Sequence, residues 1–224
     1  IRMVQQVDVF PNKTSLAIQG NLGTFDLGYY PKDRGPYNFD ANNVATDGHL
    51  LNPADRWGGI MRPIDNTDFE ASNVQYIQFW LMDPFINNPS APGGSLYFNL
   101  GDVSEDVLKD SRLFFENGIP SPFDAKKLDT TVWGYVPKFA QQITRSFDND
   151  NAARDIQDVG YDGLPDVSKN GEWSEQTKFA DFLTQIRPKL NAAAYSELSS
   201  DPSNDNYKYY RDTVYNGPNS NNIS

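Results

Sequence analysis

Residues 74–82 constrain the fold most, because large apolar or aromatic side chains occur on both faces of the alternating pattern. Val74, Tyr76, Gln78 and Trp80 alternate with Gln75, Ile77, Phe79 and Leu81. Successive side chains of a β-strand point to opposite faces, so this pattern predicts a central strand. Residues 87–94 are typical of a turn, and residues 95–100 predict a second strand. Together they predict a β-hairpin.

Helices are expected after this hairpin. Ser104 can cap a helix that ends before Gly118, which predicts a helix over residues 104–117. Ser174 is expected to cap the most amphipathic helix. Its apolar residues Phe179, Phe182, Leu183 and Ile186 recur at helical spacing before Pro188. This spacing places the four side chains in the core.

These elements predict an α+β fold that is mainly β: a β-sandwich, jelly-roll-like domain with helices packed on one side. Residues 1–137 are expected to form the β-sandwich-like part, including helix 104–117. Residues 138–224 are expected to form a helical and loop part. We interpret residues 1–224 as a single soluble domain of a larger protein.

Composition excludes several classes of function. The formal net charge of −11 disfavours nucleic acid as a partner, since the phosphate backbone would be repelled. The sequence contains no cysteine, which excludes thiolate catalysis and cysteine-ligated zinc. The single histidine, His49, lies in a turn-like string with no recognisable nucleophile motif nearby. We therefore expect no enzyme and assign no catalytic residue.

Residues 158–166 contain the pattern that most resembles a ligand site. Asp158, Asp162 and Asp166 are spaced so that their oxygens could bind calcium around a turning glycine. The string departs from an EF-hand loop, because Gly160 replaces an acidic ligand and Lys169 occupies the position of the bidentate glutamate. Calcium is the cofactor that the sequence suggests, and no other is assigned. The alternative is a turn in which these groups hydrogen-bond the local backbone.

Residues 31–58 predict a long ordered loop, with four aromatic rings in or beside it. These are Tyr29, Tyr30, Tyr37 and Trp57. Exposed rings could stack on a sugar or grip a peptide, and the alternative is that they fold back and pin the loop. Arg34 and Arg56 are expected to lock the loop internally rather than bind a ligand.

Collinear strings from residue 26 to about residue 210 resemble the SprA family of outer-membrane translocon proteins. They include DLGYYP at 26–31, RGPYNFD at 34–40, RWGGIMR at 56–62, TDFEASN at 67–73, YIQFWLMDPF at 76–85, LYFNLGDVSED at 96–106 and DPSNDNY at 201–207. Residues 213–224 depart from the family pattern.

The resemblance implies a non-enzymatic structural and interaction domain that supports type IX protein secretion and gliding motility. It implies an insertion between barrel strands at the outer membrane or cell surface, with the extracellular side favoured. The implied partners are other translocon segments, partner barrel and plug proteins, and secreted cargo. The alternative function is a surface carbohydrate-binding module or a glycosidase-related domain, suggested by the loop aromatics and abundant acids.

Overall fold

The structure is a computed structural model. It describes residues 4–12, 20–61, 68–83, 85–86, 88–101, 107–112, 119–139, 150–168 and 173–208. The chain forms two compact units, each assembled from segments distant in sequence. The first contains Ile1–Tyr29, Arg62–Val103 and Tyr209–Ser224, and the second contains Tyr30–Met61 and Ser104–Lys208. The division suggested by the sequence, between residues 137 and 138, lies inside the second unit.

Short elements near the N-terminus belong to the first unit. Strand β1 (Val4–Gln5) pairs antiparallel with strand β2 (Asn21–Leu22), and one helical turn, α1 (Gln6–Val9), follows β1 in sequence. The paired residues are Val4 with Leu22 and Gln5 with Asn21. Phe10 packs edge-on against Trp80, with ring centroids 5.6 Å apart. This contact links the N-terminal elements to residues 74–82.

The strands expected at residues 74–82 and 95–100 are not formed, which corrects the prediction of a central hairpin. The segments do approach each other, because the rings of Phe79 and Phe98 are 5.3 Å apart. A strand requires a hydrogen-bonded neighbouring strand and other residues that bury its large side chains. The alternating pattern of a segment provides neither of these partners. No sandwich or jelly roll is present among the described residues.

A small antiparallel pair of strands belongs to the second unit. Strand β3 (Leu128–Thr130) pairs with strand β4 (Tyr135–Pro137). The paired residues are Leu128 with Pro137, Asp129 with Val136 and Thr130 with Tyr135. The turn between the strands is closed by the Thr131 amide, which donates to the Gly134 carbonyl at 2.8 Å.

The helices of the second unit are short. They are α2 (Asn151–Gln157), α3 (Glu175–Lys178), α4 (Ala180–Ile186) and α5 (Ala192–Ser200). The expected start at Ser174 is confirmed, because its hydroxyl accepts a hydrogen bond from the Thr177 amide at 3.4 Å. The helix is interrupted at Phe179 and passes into a 3-10 turn, Arg187–Lys189. The described residues therefore combine helices with short antiparallel strands, which agrees with the expected mixture of α and β, but they contain more helix than strand.

The largest buried cluster joins these helices to the long loop. Its members are Ala41, Phe179, Phe182, Leu183, Ile186 and Leu198. The four apolar residues predicted to face the core are therefore buried as expected. Phe39 from the loop lies 4.4 Å from the ring of Phe179 and contacts the ring of Phe182 edge-on. Residues 31–58 are thus an ordered loop anchored by an aromatic side chain.

The helix predicted over residues 104–117 is absent from the part of this range that the structure describes. Residues 102–106 and 113–118 lie outside the described residues, and residues 107–112 are not helical. Lys109 and Ser111 have φ angles of 56° and 61°, in the left-handed region, which a right-handed helix does not contain. In the parts of the chain that the structure describes, no helix has the length and apolar character needed to cross a membrane.

Candidate functional site

Five carboxylates from three segments of the second unit converge, and we call them the acidic cluster. They are Asp162, Asp166, Glu175, Asp201 and Asp205. Carboxylate oxygens of Asp162, Glu175 and Asp205 lie within 4.8 Å of one another, and so do those of Asp166, Glu175 and Asp201. Glu175 belongs to both groups. The cluster joins the loop after α2, the first residue of α3 and the segment after α5.

Two glycines allow the loop after α2 to place its acids. Gly160 and Gly163 have φ angles of 55° and 65°, which residues with a Cβ atom rarely adopt. A Cβ atom at Gly160 would collide with the Asp205 carboxylate and the Tyr37 hydroxyl. The Tyr135 amide donates to the Asp162 carbonyl at 2.8 Å and fixes the loop against β4. The close approach of this loop to the segment after α5 therefore requires glycine at position 160.

Glu175 is the centre of the acidic cluster and is completely buried, with 0% exposure. The Ser203 amide donates to its Oε2 at 3.0 Å, and the Ser203 hydroxyl donates to its Oε1. Burial, together with the charges of Asp205 and Asp162, raises the pKa of Glu175 to about 9 against these hydrogen bonds. The isolated chain at neutral pH therefore favours the protonated form of this side chain.

Asp162 is 1% exposed. Among the described residues, only one of its two carboxylate oxygens has a hydrogen-bond donor. The Leu164 amide donates to Oδ1 at 2.9 Å, whereas Oδ2 has no hydrogen-bond partner among the described residues. Burial and the neighbouring charge of Asp205 raise the pKa of Asp162 well above its usual value. A buried carboxylate oxygen without a partner is unfavourable unless a proton or a cation compensates it.

Asp205 lies between the cluster and Tyr37. The Tyr37 hydroxyl donates to Asp205 Oδ2 at 2.8 Å and accepts a hydrogen bond from the Tyr161 amide. Burial raises the pKa of Asp205 to about 6 despite the hydrogen bond from Tyr37. Burial, with the charge of Asp205, also raises the pKa of Tyr37 above its ordinary range. Tyr37 is therefore a neutral donor that orients this carboxylate.

The two outer acids of the cluster have polar partners. The Asn206 amide group donates to Asp166 Oδ2 at 3.0 Å, and the Asp205 backbone amide donates to Asp201 Oδ1 at 3.1 Å. Burial raises the pKa of Asp166. No carboxylate of the cluster forms an ion pair with a cationic side chain within the described part of the chain.

Arg34 lies nearby, but its donors bind backbone carbonyls. Its Nη1 donates to the Pro202 carbonyl at 2.6 Å, and its Nη2 donates to the Asp201 carbonyl at 2.9 Å. Burial lowers the pKa of Arg34, although the surrounding acids oppose this effect. Arg34 thus connects the long loop to the segment after α5, and it supplies the cluster with a nearby charge rather than a direct bond.

Arg56 is placed within the long loop itself. Its Nη1 donates to Asp40 Oδ2 at 3.2 Å, and its Nε donates to the Leu51 carbonyl at 3.2 Å. Burial raises the pKa of Asp40, but hydrogen bonds from Asn43, Asn42 and Arg56 outweigh it and lower this pKa to about 2. Arg56 therefore links two turns of the loop through an ionised carboxylate.

The four aromatic residues named from the sequence have different surroundings within their own units. Tyr37 contacts the acidic cluster, whereas the ring of Trp57 is 87% exposed. Tyr29 is an exposed residue of the first unit, and Tyr30 begins the second unit. His49 lies on the surface, with Nδ1 3.3 Å from Asp47 and Nε2 3.7 Å from Asp33.

The three acids proposed as calcium ligands do not form one ligand group. Asp162 and Asp166 enter different groups of the cluster, and Asp158 accepts a hydrogen bond from the Tyr207 amide at 2.9 Å instead. Sequence reasoning missed Glu175, Asp201 and Asp205 as partners of this loop. The Asn- and Asp-rich string at 201–207 was visible, but nothing local in the sequence indicates which segment it contacts.

No family model, curated protein or solved structure matches the chain.

Proposed function

We propose that the chain is a non-enzymatic structural and interaction domain of an SprA-like outer-membrane protein translocation channel. In this role it supports type IX protein secretion and gliding motility. The proposal rests on the collinear strings between residues 26 and 207 and on one structural observation: two strand-like apolar segments of the first unit are exposed. The chain itself would lie outside the bilayer at the cell surface.

The exposed segments carry large side chains that ordinarily lie in a core or an interface. Trp80 is 74% exposed and Tyr97 is 80% exposed. Their exposed neighbours are Val74, Tyr76, Ile77, Phe79, Leu81, Met82, Leu96, Phe98 and Leu100. An apolar surface of this kind is unfavourable in water and is typical of a protein interface.

The alternating pattern indicates what would cover these side chains. An extended partner segment that pairs with residues 74–82 would bind their backbone groups and bury alternate side chains at the same time. The partner that we propose is another segment of the translocon chain. The β-sandwich expected from the sequence would be the arrangement that these segments adopt with such a partner. Partner barrel and plug proteins and secreted cargo would contact the domain through its loops.

Site-specific photocrosslinking in intact cells tests this proposal. A photoreactive phenylalanine derivative at Tyr76 or Tyr97 of the full-length protein is expected to crosslink to identified translocon segments. The same derivative at Val132, an exposed residue of the second unit, is the matched control. Equal crosslinking of Val132 to the same translocon segments, or no translocon product from either tyrosine, would contradict the proposal.

The carbohydrate-binding or glycosidase alternative receives less support from the geometry. Glycosidases need two carboxyl groups on either side of an accessible glycosidic bond. The acidic cluster brings carboxyl groups close enough, but Glu175 is completely buried and cannot reach a sugar. The exposed ring of Trp57 is the feature that fits a sugar surface. Specific glycan binding that is lost in Trp57→Ala would favour this alternative.

A further inference from the structure

We propose that Asp162, Glu175 and Asp205 form a binding site for one Ca²⁺ ion, which fixes the segment after α5 against the loop after α2. This inference is independent of the proposed translocon role. It assigns a site to residues that the sequence pattern alone did not bring together. The observations that support it are the geometry of the three carboxylates, their burial and the unpartnered oxygen of Asp162.

The distances between the three carboxylates fit a shared ion. Two oxygens that bind one Ca²⁺ at about 2.4 Å can be at most about 4.8 Å apart. Oxygens of Asp162, Glu175 and Asp205 satisfy this limit pairwise. Without an ion, such an arrangement requires protons to neutralise its buried carboxyl groups.

Asp162 provides an observation that is independent of the clustering. Its Oδ2 is buried and has no hydrogen-bond partner within the described residues, while Oδ1 is occupied by the Leu164 amide. Buried polar atoms almost always have a partner, and a cation bound to this oxygen would supply one. Because Asp162 belongs to the group with Glu175 and Asp205, we assign the ion to this group rather than to Asp166 and Asp201.

The surrounding contacts hold the proposed ligands in place. Ser203 donates to both oxygens of Glu175, and Tyr37 donates to Asp205. A carboxylate oxygen that accepts one hydrogen bond retains a lone pair for a metal. Such supporting donors orient metal ligands in other proteins. Asp205 is only partly buried, so the group of three carboxylates is not sealed from solvent.

The donor set favours Ca²⁺ over other common ions. Every proposed ligand is a carboxylate, a hard oxygen donor, and histidine and cysteine are absent from the group. Mg²⁺ requires near-octahedral geometry at about 2.0–2.1 Å and releases its water reluctantly. Ca²⁺ accepts longer and more variable bonds, which suits three oxygens spread over distances up to 4.8 Å.

Calorimetric titration of the full chain with Ca²⁺, after treatment with a chelator, tests the inference. We expect one ion per chain, and a rise in Tm of about 5–10 °C when Ca²⁺ exceeds its Kd 100-fold. Mg²⁺ at the same concentration is expected to bind at least about 10-fold more weakly. No binding of Ca²⁺ at millimolar concentration, with no change in Tm, would overturn the proposal.

Matched variants locate the ion. Asp162→Asn and Glu175→Gln keep the side-chain shape and are expected to weaken Ca²⁺ binding at least about 100-fold. Asp166→Asn, in the other group, is expected to weaken it by less than about 10-fold, and Asp181→Asn on the exposed face of α4 is expected to have no effect. If Asp162→Asn does not fold, Glu175→Gln provides the same comparison. Loss of binding in Asp166→Asn with normal binding in Asp162→Asn or Glu175→Gln would overturn the assignment.

Discussion

Ser203 donates two hydrogen bonds to the carboxylate of Glu175, one from its backbone amide at 3.0 Å and one from its hydroxyl. The two residues lie 28 positions apart in sequence, and both are completely buried. This contact connects the first residue of α3 with the segment after α5. The acidic cluster depends on it, because the same segment carries Asp201 and Asp205.

Ser203→Ala should therefore destabilise the second unit. The substitution removes one donor from a buried carboxyl group, and the loss of such a partner costs about 1–3 kcal/mol. Urea unfolding followed by tryptophan fluorescence measures the change in the free energy of unfolding. Ser200→Ala is the matched control, since the Ser200 hydroxyl donates to the Glu197 carbonyl on an exposed part of the chain. Equal stability losses in the two variants would contradict a special role for Ser203.

Arg34→Lys should weaken the link between the long loop and the segment after α5. The planar guanidinium binds the carbonyls of Asp201 and Pro202 with two separate nitrogens, and a single ammonium group cannot reproduce this geometry. We expect a loss of about 1–2 kcal/mol in the free energy of unfolding. Thermal unfolding measures the loss, and Arg112→Lys, which changes an exposed arginine, should leave Tm nearly unchanged. An unchanged Tm in Arg34→Lys would show that the guanidinium does not lock the loop.

Helices α3 and α4 were predictable from the sequence because their signals are local, whereas α2 was not predicted and residues 107–112 do not form the expected helix. Ser174 and Thr177 form reciprocal hydrogen bonds at the start of α3, and the residues that bury α4 recur within two turns of one another. Such patterns determine both the start of a helix and the face that enters the core. The interruption at Phe179 was not visible, since it places this ring against Phe39 of the long loop.

Neither the acidic cluster nor the lack of a strand at residues 74–82 was predictable. Both depend on neighbours that are distant in sequence. The string 158–166 indicated a cation site, but Glu175 and Asp205 join it only through tertiary contacts. Alternation in residues 74–82 defines two strand faces without specifying the segments that cover them. The exposure of Trp80 shows that the described residues do not bury this ring.

Acid should weaken the contact between Asp40 and Arg56. The pKa of Asp40 is lowered from 3.8 to about 2 in the folded chain, so ionised Asp40 stabilises the fold. This stabilisation is present above pH 3.8 and is lost as the pH falls through about 2. Arg56 contributes less to this lowering than Asn42 and Asn43 do, so in Arg56→Ala we expect a small rise in the pKa of Asp40. Carboxyl-carbon NMR measures this titration, and Arg112→Ala is the control. An unaltered Asp40 titration in Arg56→Ala would contradict the contact.

Gly160→Ala should disrupt the approach of the two segments that form the acidic cluster. The residue has a φ angle of 55°, and the added Cβ atom would collide with the Asp205 carboxylate and the Tyr37 hydroxyl. Left-handed backbone strain and this collision together should destabilise the second unit by about 2–4 kcal/mol. Gly35→Ala is the matched control, because no atom lies within 4 Å of its added Cβ. Urea unfolding compares the two variants. If both retain the stability of the parent chain, the close packing of Gly160 against Asp205 is not required for folding.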